Sequence, residues 1–228
     1  MAGSLKAVFF DLDGTLLDTS EDLGHALNQV RREQGLNNIP QSIIREQVSN
    51  GATALIKLGF GPLDEEVLLP LRQRLLDMYL QHIALHTKPF DGMEELIERL
   101  TLHEIAWGIV TNKPHLYTTE LMRSFEFAST PCVTVSPDQV GVGKPNPAGL
   151  LYACEAAGCT PEEAIYIGDH QRDIECGHNA GMPTIAVGYG FTGHADEHRT
   201  WNATHVADQV ADIWLIITTY LNHTAEHD

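Results

Sequence analysis

Short runs of apolar residues alternate along this chain with longer segments in which apolar residues repeat at helical spacing. The apolar runs cover residues 5–10, 106–111, 132–136, 164–168 and 184–187. Continuous apolar runs of this length are typical of parallel strands buried on both faces, with the intervening helices as crossovers. The pattern therefore predicts an α/β fold in which an open parallel sheet carries helices on both faces.

The segment after the first predicted strand breaks this alternation. Residues 19–86 are almost entirely helical in pattern, with 22–34 and 65–81 as the clearest helices, and contain no convincing strand. A Lys-Pro-Phe-Asp-Gly break at residues 88–92 then precedes a predicted helix. We predict an α/β core domain of residues 1–18 and 87–228 with an inserted all-helical domain of residues 19–86.

The composition of the chain argues against some classes of binding partner. The chain has 228 residues and a formal net charge of −17, which argues against nucleic acid and anionic membranes as partners. Its four cysteines form no close pair, so we expect free thiols in a reducing compartment and no zinc site. The apolar segment at 207–221 suits a terminal helix and is too short to span a bilayer. We expect a cytoplasmic protein, either a monomer or a homodimer, with a small-molecule partner.

Two aspartates directly follow the first predicted strand. Asp11 and Asp13 are separated by one residue and precede Gly14. Side chains at positions i and i+2 share a face, so the two carboxylates can converge on one group, while Gly14 lets the backbone pass close to an anion. Carboxylates this close repel unless a cation or a shared proton neutralises them. The alternative is an Asp-Gly turn that closes a hairpin.

Further polar motifs lie at the ends of later predicted strands. They comprise Thr111, Asn112 and Lys113 after the second strand, Lys144 before a helix starting near residue 147, and Asp169 and Asp173 after the fourth strand. Functional groups of open parallel sheets gather beyond the carboxyl ends of the strands, beside helix N-termini. We therefore expect one site.

Three of these aspartates predict a metal site. Asp11, Asp13 and Asp169 would supply part of an octahedral oxygen shell, for which magnesium is the natural occupant. Asp173 follows Asp169 by four residues, so it would order either a metal-bound water or a basic residue. The alternative role for Asp169 alone is an ordinary helix N-cap.

The remaining groups suit phosphoryl transfer. Asp11 ends the strand and can attack phosphorus as a carboxylate nucleophile, while Asp13 can protonate the leaving oxygen and later deprotonate water. Thr111, Asn112 and Lys144 would supply a hydroxyl, an amide and a cation to the phosphoryl oxygens. Lys144 could otherwise be a solvated loop lysine.

Two further positions carry open alternatives. Lys113 either contacts the substrate or caps the following turn. Asn50 and Gly51 lie in a polar break between two helical patterns, which is either a substrate-facing turn or a simple interhelical turn.

These motifs resemble, in order and over nearly the full length of the chain, those of the haloacid dehalogenase superfamily. The nucleophile motif corresponds to residues 11–15, the second to Thr111, the third to Lys144, and the fourth to Asp169 with Asp173. The resemblance implies a Rossmann-like core and a magnesium ion held by Asp11, the backbone carbonyl of Asp13 and Asp169.

The helical insertion resembles the cap domain of the phosphoglycolate phosphatase-like branch, which closes over the site and selects substrates. Residues 89–93 and 107–110 are also similar to N-acetylmuramic acid 6-phosphate phosphatases. The resemblance implies a magnesium-dependent phosphatase of carbohydrate metabolism. It would hydrolyse 2-phosphoglycolate or a sugar phosphate such as N-acetylmuramate 6-phosphate through an aspartyl-phosphate.

Other functions remain open. A phosphomutase of the β-phosphoglucomutase type shares the motifs but returns the phosphoryl group to the sugar. A carbon–halogen hydrolase needs no metal, so Asp13 and Asp169 argue against it. A non-catalytic regulatory module would be expected to lose at least one of the motif residues, all of which are present.

Overall fold

A parallel sheet of six strands forms the centre of the computed structural model, which describes residues 4–193 and 196–225. In chain order the strands are β1 (Ala7–Phe10), β2 (Leu17–Asp18), β3 (Lys88–Pro89), β4 (Ala106–Val110), β5 (Thr134–Val135), β6 (Ala164–Gly168), β7 (Thr184–Val187) and β8 (His205–Ala207). The sheet has the order β5-β4-β1-β6-β7-β8 and all its pairs are parallel, which confirms the predicted fold class.

Helices fill the connections between the strands. They are α1 (Ser20–Glu33), α2 (Gln41–Arg45), α3 (Gly51–Phe60), α4 (Glu65–Gln81), α5 (Met93–Leu102), α6 (His115–Met122), α7 (Pro137–Val140), α8 (Ala148–Ala157), α9 (Gln171–Ala180) and α10 (Val210–Ala225). Among the described residues, no helix is both long and apolar enough to cross a membrane.

Strand β1 is central and is buried on both faces. Val8 and Phe10 pack into the apolar cluster that includes α5 and α10, whereas Ala7 and Phe9 pack into the opposite cluster with α8 and α9. This division follows from the alternation of side chains along a strand. Because β1 lies between β4 and β6, the residues that follow these three strands emerge side by side.

The four helices α1 to α4 lie between β2 and β3 and form a third apolar cluster, separate from the two that flank the sheet. Leu27, Val30, Ile44, Leu55 and Leu75 are fully buried in it. Helix α4 has the predicted bounds, and α1 begins at Ser20, just before the predicted start. The whole stretch between β2 and β3 contains no strand, as the sequence pattern predicts for 19–86.

The two connections of this helical segment run side by side. Leu17 pairs with Pro89 and Asp18 with Lys88 in the short antiparallel pair β2–β3. Such two-residue strands leave no periodic signal, and the sequence did not predict them. They lie at the predicted borders of the inserted domain.

The last strand also differs from the prediction. The sequence predicts a terminal helix over 207–221, but β8 includes Ala207 and α10 begins at Val210. The Asp212 carboxylate accepts hydrogen bonds from the backbone N–H groups of Asp208 and Gln209, which fixes the helix start after the strand. Strand β8 has only three residues, so it lacks a recognisable apolar run.

Candidate active site

Three buried carboxylates meet at the carboxyl ends of β1 and β6. Asp11 follows β1, Asp169 follows β6, and Asp173 lies in the first turn of α9; one carboxylate oxygen from each lies within 4.8 Å of the others. Burial raises the pKa of Asp11 to about 6, against the opposing effect of Lys144. Burial, together with the charges of Asp11 and Asp173, raises the pKa of Asp169 to about 8. Such a crowded set of hard oxygen donors fits a divalent cation such as magnesium.

The glycine after Asp13 makes this close approach possible. Gly14 has a φ of +83°, and a Cβ atom there would overlap the Oδ2 atom of Asp169. Asp169 Oδ2 also accepts a hydrogen bond of 2.8 Å from the backbone N–H of Phe191. Only glycine allows the nucleophile loop to lie against the Asp169 carboxylate.

Lys144 neutralises part of the carboxylate cluster. Its Nζ lies 2.8 Å from Asp11 Oδ1 and 2.7 Å from Asp173 Oδ1, and the residue is only 8% exposed. Burial alone would lower the pKa of Lys144, but the two carboxylates outweigh it and raise the pKa. Lys144 is therefore a charged ammonium fixed beside the candidate nucleophile, and the alternative of a solvated loop lysine is wrong. Of the two expected roles for Asp173, the contact to a basic residue is the one observed.

Asn112 holds the backbone of Lys144 in place. Its Oδ1 accepts a hydrogen bond of 2.8 Å from the Lys144 N–H, and its Nδ2 donates to the Lys144 carbonyl at 3.2 Å. The amide predicted to contact the phosphoryl group is thus engaged with the backbone, although the residue also lines the cavity. Its contact with substrate stays a prediction.

Thr111 and Lys113 lie on the loop after β4. The Thr111 hydroxyl is buried and accepts from the Lys113 N–H at 3.1 Å, so its proton is available to another acceptor. Lys113 Nζ lies 2.9 Å from Asp13 Oδ1 and 4.5 Å from the centre of the Tyr79 ring. The Lys113 side chain therefore holds Asp13, a role that the sequence did not indicate.

The Asp13 carboxylate is not part of the cluster formed by the other three carboxylates. Its Oδ1 accepts a hydrogen bond of 2.6 Å from the Thr19 hydroxyl as well as the ion pair with Lys113. The carboxylate cluster accordingly contains Asp173 rather than the Asp13 side chain. The family resemblance implies only the backbone carbonyl of Asp13 as a metal ligand; that role, and proton transfer by the Asp13 carboxyl group, stay predictions.

The helical segment reaches the site through one turn. The Ser49 hydroxyl donates to Asp169 Oδ2 at 3.0 Å, and Asn50 Oδ1 accepts from Arg172 at 3.3 Å. Asn50 Oδ1 also lies 3.3 Å from His170 Nε2. Gly51 follows with a φ of +81° and begins α3. The predicted Asn-Gly turn therefore faces the motif residues; its role toward substrate stays a prediction.

A cavity of about 290 Å³ lies between this turn and the carboxylates. Its lining includes Asp11, Asp13, Asn50, Gly51, Thr111, Asn112, Lys113 and Lys144, together with Leu23, Leu55, Arg72, Leu76, Tyr79, Tyr117 and Arg172. A larger cavity of about 670 Å³ beside α5 and α10 contacts none of the motif residues, so volume alone does not locate the site.

Some residues of the site lie outside the sequence motifs. The Tyr166 hydroxyl donates to the Val110 carbonyl at 2.7 Å and lies 2.9 Å from Lys144 Nζ. In the sequence, however, Tyr166 is simply one residue of the apolar run that predicts β6. Ser49 and Arg72 lie in the helical segment, where no pattern separates them from surface residues. The proximity of Ser49 to the Asn-Gly turn is the one signal that could have found it.

Comparisons with known proteins agree on one protein family. Residues 8–187 match the family model described as haloacid dehalogenase-like hydrolase. A curated N-acetylmuramic acid 6-phosphate phosphatase of Pseudomonas aeruginosa is 40% identical over 92% of this chain and 93% of its own length. A phosphoglycolate phosphatase of Xylella fastidiosa is 33% identical, again over 92% and 93%. The crystal structure of a predicted phosphoglycolate phosphatase from Haemophilus somnus superposes with a TM-score of 0.81 at 23% identity, covering 95% and 99% of the two chains.

Proposed function

Because this chain belongs to the haloacid dehalogenase-like hydrolases, we propose that it is a phosphatase that hydrolyses a small phosphomonoester through a phosphorylated Asp11. The observation that carries this proposal is that Asp11 lines the cavity, forms an ion pair with Lys144 and clusters with the carboxylates of Asp169 and Asp173. Curated relatives with names of phosphatases cover almost the whole chain and support the same activity.

The first half-reaction uses Asp11 and Asp13. An oxygen of the Asp11 carboxylate attacks phosphorus, and the bond between phosphorus and the ester oxygen breaks as the new bond forms. Asp13, in its protonated form, gives its proton to the departing oxygen, so the alcohol leaves neutral. Lys144, fixed 2.8 Å from Asp11, is placed to stabilise negative charge on the transferred oxygens.

The second half-reaction restores the enzyme. Asp13 removes a proton from a water molecule, which attacks phosphorus, and the bond from phosphorus to Asp11 breaks. Inorganic phosphate and the free Asp11 carboxylate result, with Asp13 again protonated. Lys113 and Thr19 keep Asp13 within the cavity in both steps.

We propose that Asp11, Asp169 and the backbone carbonyl of Asp13 hold magnesium, with Asp173 beside them. When bound, the ion neutralises the phosphoryl oxygens and orients them for in-line attack. The raised pKa values of Asp11 and Asp169 reflect burial of excess negative charge that such a cation would balance.

We further propose that residues 19–86 form the cap domain and that residues 1–18 and 87–228 form the catalytic core. Asp11, Asp13, Lys144 and Asp169, to which the chemical steps are assigned, all belong to the core, whereas the helical segment supplies one wall of the cavity. The names of the relatives make N-acetylmuramate 6-phosphate and 2-phosphoglycolate the first substrates to test.

The test is release of inorganic phosphate from both substrates and from an aryl phosphate, with magnesium and with excess chelator. We expect turnover only with magnesium and the free alcohol as the product. Isomerised sugar phosphate without net phosphate release would identify a phosphomutase instead. Absence of turnover on all phosphomonoesters at saturating magnesium would contradict the proposal.

A further inference from the structure

Four cationic side chains line the cavity, and three of them are already engaged. Lys144 pairs with Asp11 and Asp173, Lys113 pairs with Asp13, and Arg172 donates to Asn50. Arg72 lines the same cavity from α4, and within the described part of the chain its guanidinium has neither a hydrogen bond nor an ion pair. Its donors are therefore available to a ligand.

A second arginine on the same helix shows the contrast. Arg74 lies two residues further along α4 and binds both carboxylate oxygens of Glu33, at 2.9 and 2.6 Å, outside the cavity. The chain has 31 acidic residues against 14 lysines and arginines, so carboxylate partners are abundant. Arg72, which faces the cavity, has no such partner among the residues that the structure describes.

Arg72 lies on the wall of the cavity that the helical segment supplies, together with apolar and aromatic residues. The Arg72 and Lys113 charges both oppose the rise that burial causes in the pKa of the Tyr117 hydroxyl, which lines the cavity as well. Leu76, one turn along α4, and Tyr79 line the same wall. Because in-line attack by Asp11 of the core directs the leaving group away from Asp11, this wall on the helical segment would contact the leaving group rather than the phosphorus.

We propose that Arg72 binds a carboxylate on the leaving group of the substrate. This inference rests on the proposed phosphatase activity and deepens it. The planar guanidinium offers two parallel N–H donors that match the two oxygens of a carboxylate. The single positive charge of the Arg72 guanidinium matches the single negative charge of a carboxylate.

The experiment compares two phosphomonoesters that differ in the carboxylate. N-acetylmuramate 6-phosphate and N-acetylglucosamine 6-phosphate share the sugar and the phosphate, but only the first carries the lactyl carboxylate. A second pair is 2-phosphoglycolate and its neutral carboxamide. The variants are Arg72→Gln, Arg72→Lys and the matched control Arg74→Gln, and the readout is kcat/KM with its separate KM and kcat.

We expect Arg72→Gln to lower kcat/KM on the carboxylate substrates by roughly 10- to 100-fold, mainly through KM, and to change it by less than about threefold on the neutral partners. The kcat/KM of Arg72→Lys on the carboxylate substrates should lie between those of Arg72→Gln and wild type, because lysine keeps the positive charge but lacks the two parallel N–H donors. Arg74→Gln should match wild type on every substrate.

Equal losses on both members of a pair, or no loss on either, would overturn the inference while leaving the phosphatase proposal intact. Calorimetric titration with the dephosphorylated sugars tests it independently of turnover. N-acetylmuramate should bind wild type more tightly than N-acetylglucosamine does, and Arg72→Gln should remove that preference. Equal binding of the two sugars to wild type would also contradict the inference, even in a chain that hydrolysed no phosphomonoester.

Discussion

Charged groups at the end of the sheet are buried and paired, whereas two polar residues of the helical segment that face the same cavity, Asn50 and Arg72, are more exposed and weakly held. Asp169 and Asp173 are 1% and 0% exposed, and Lys144 bridges Asp11 and Asp173. By contrast, Asn50 is exposed and makes hydrogen bonds of 3.3 Å, and Arg72 is only partly buried. Rigidly positioned charges suit the phosphoryl-transfer step, which is the same for every substrate. A more mobile cavity wall suits the selection among different leaving groups.

The largest loss of activity should come from substitution of a buried carboxylate at the end of the sheet. Asp11→Asn keeps the shape of the side chain but removes the attacking charge, so turnover of every phosphomonoester should fall by on the order of 10⁴-fold or more. Steady-state phosphate release measures it, with the exposed Asp64→Asn as the matched control. Near-normal turnover in Asp11→Asn would remove Asp11 from the role of nucleophile.

Lys144→Ala should impair both catalysis and folding. We expect kcat/KM to fall by on the order of 10²-fold or more, and the free energy of unfolding by about 3–5 kcal/mol, because two buried carboxylates lose their partner. Arg at this position should not restore activity, since the buried site holds a compact ammonium between two carboxylates.

Lys6→Ala is the matched control for Lys144. It breaks the ion pair with Glu163, in which the Lys6 side chain is 50% exposed, and should change stability by less than about 1 kcal/mol. Urea unfolding compares the two variants. A similar small loss of stability in both would contradict the view that the core charges are tightly coupled.

A substitution at the contact between α1 and the segment that leads back to the core should have an intermediate effect on stability. Asp22 in α1 is 1% exposed and accepts hydrogen bonds from the N–H groups of His86 and Thr87 and from the Thr87 hydroxyl. Burial acts to raise the pKa of Asp22, but these hydrogen bonds outweigh it and the pKa lies below its usual value. Asp22→Asn should therefore lower the free energy of unfolding by about 1–3 kcal/mol near neutral pH.

The sign of the pH dependence follows from that lowered pKa. The ionised Asp22 stabilises the fold above the pKa of an unfolded aspartate, and this contribution is lost as pH falls through the lower folded value. The stability gap between wild type and Asp22→Asn should then shrink in acid, as urea midpoints across pH would record. A gap that stayed constant or widened in acid would contradict this assignment.

The smallest effect should come from the cavity side of the helical segment. Thr53, in the first turn of α3, lines the cavity together with Asn50. Asn50→Ala and Thr53→Ala should each change the ratio of kcat/KM between N-acetylmuramate 6-phosphate and an aryl phosphate by about fivefold, the value of one hydrogen bond. The aryl phosphate itself should be largely spared, because it lacks the larger leaving group. Parallel losses on 2-phosphoglycolate, N-acetylmuramate 6-phosphate and the aryl phosphate, or no change on any, would remove this turn from substrate selection.

The same two regions differ in how far the sequence predicts them. Asp11, Thr111 and Asp169 could be located because each directly follows an apolar strand, and the parallel topology brings such positions together. The sheet itself was predictable from the apolar runs, apart from the three-residue β8. Local pattern therefore sufficed wherever a motif coincided with the end of an element.

The residues that the sequence did not reveal act through tertiary contacts. Tyr166 lies within a uniformly apolar strand, and nothing in its neighbours indicates that its hydroxyl lies 2.9 Å from Lys144. Ser49 reaches Asp169 only because the helical segment folds back over the sheet, across 120 residues of sequence. Arg72 resembles Arg74 in sequence context, and only the fold separates the one that faces the cavity from the one that binds Glu33.

The most direct test of the central claim is detection of the phosphoryl group on Asp11. Wild type and Asp13→Asn would be mixed with substrate and magnesium, quenched in acid within a turnover, and digested for tandem mass spectrometry. With an aryl phosphate as the substrate, whose leaving group departs without an acid, we expect one phosphoryl group on Asp11 in wild type and a higher yield in Asp13→Asn, because removal of the base then slows mainly the second half-reaction; we expect none in Asp11→Asn. Sustained turnover with the phosphoryl group on another residue, or on none in Asp13→Asn, would contradict it.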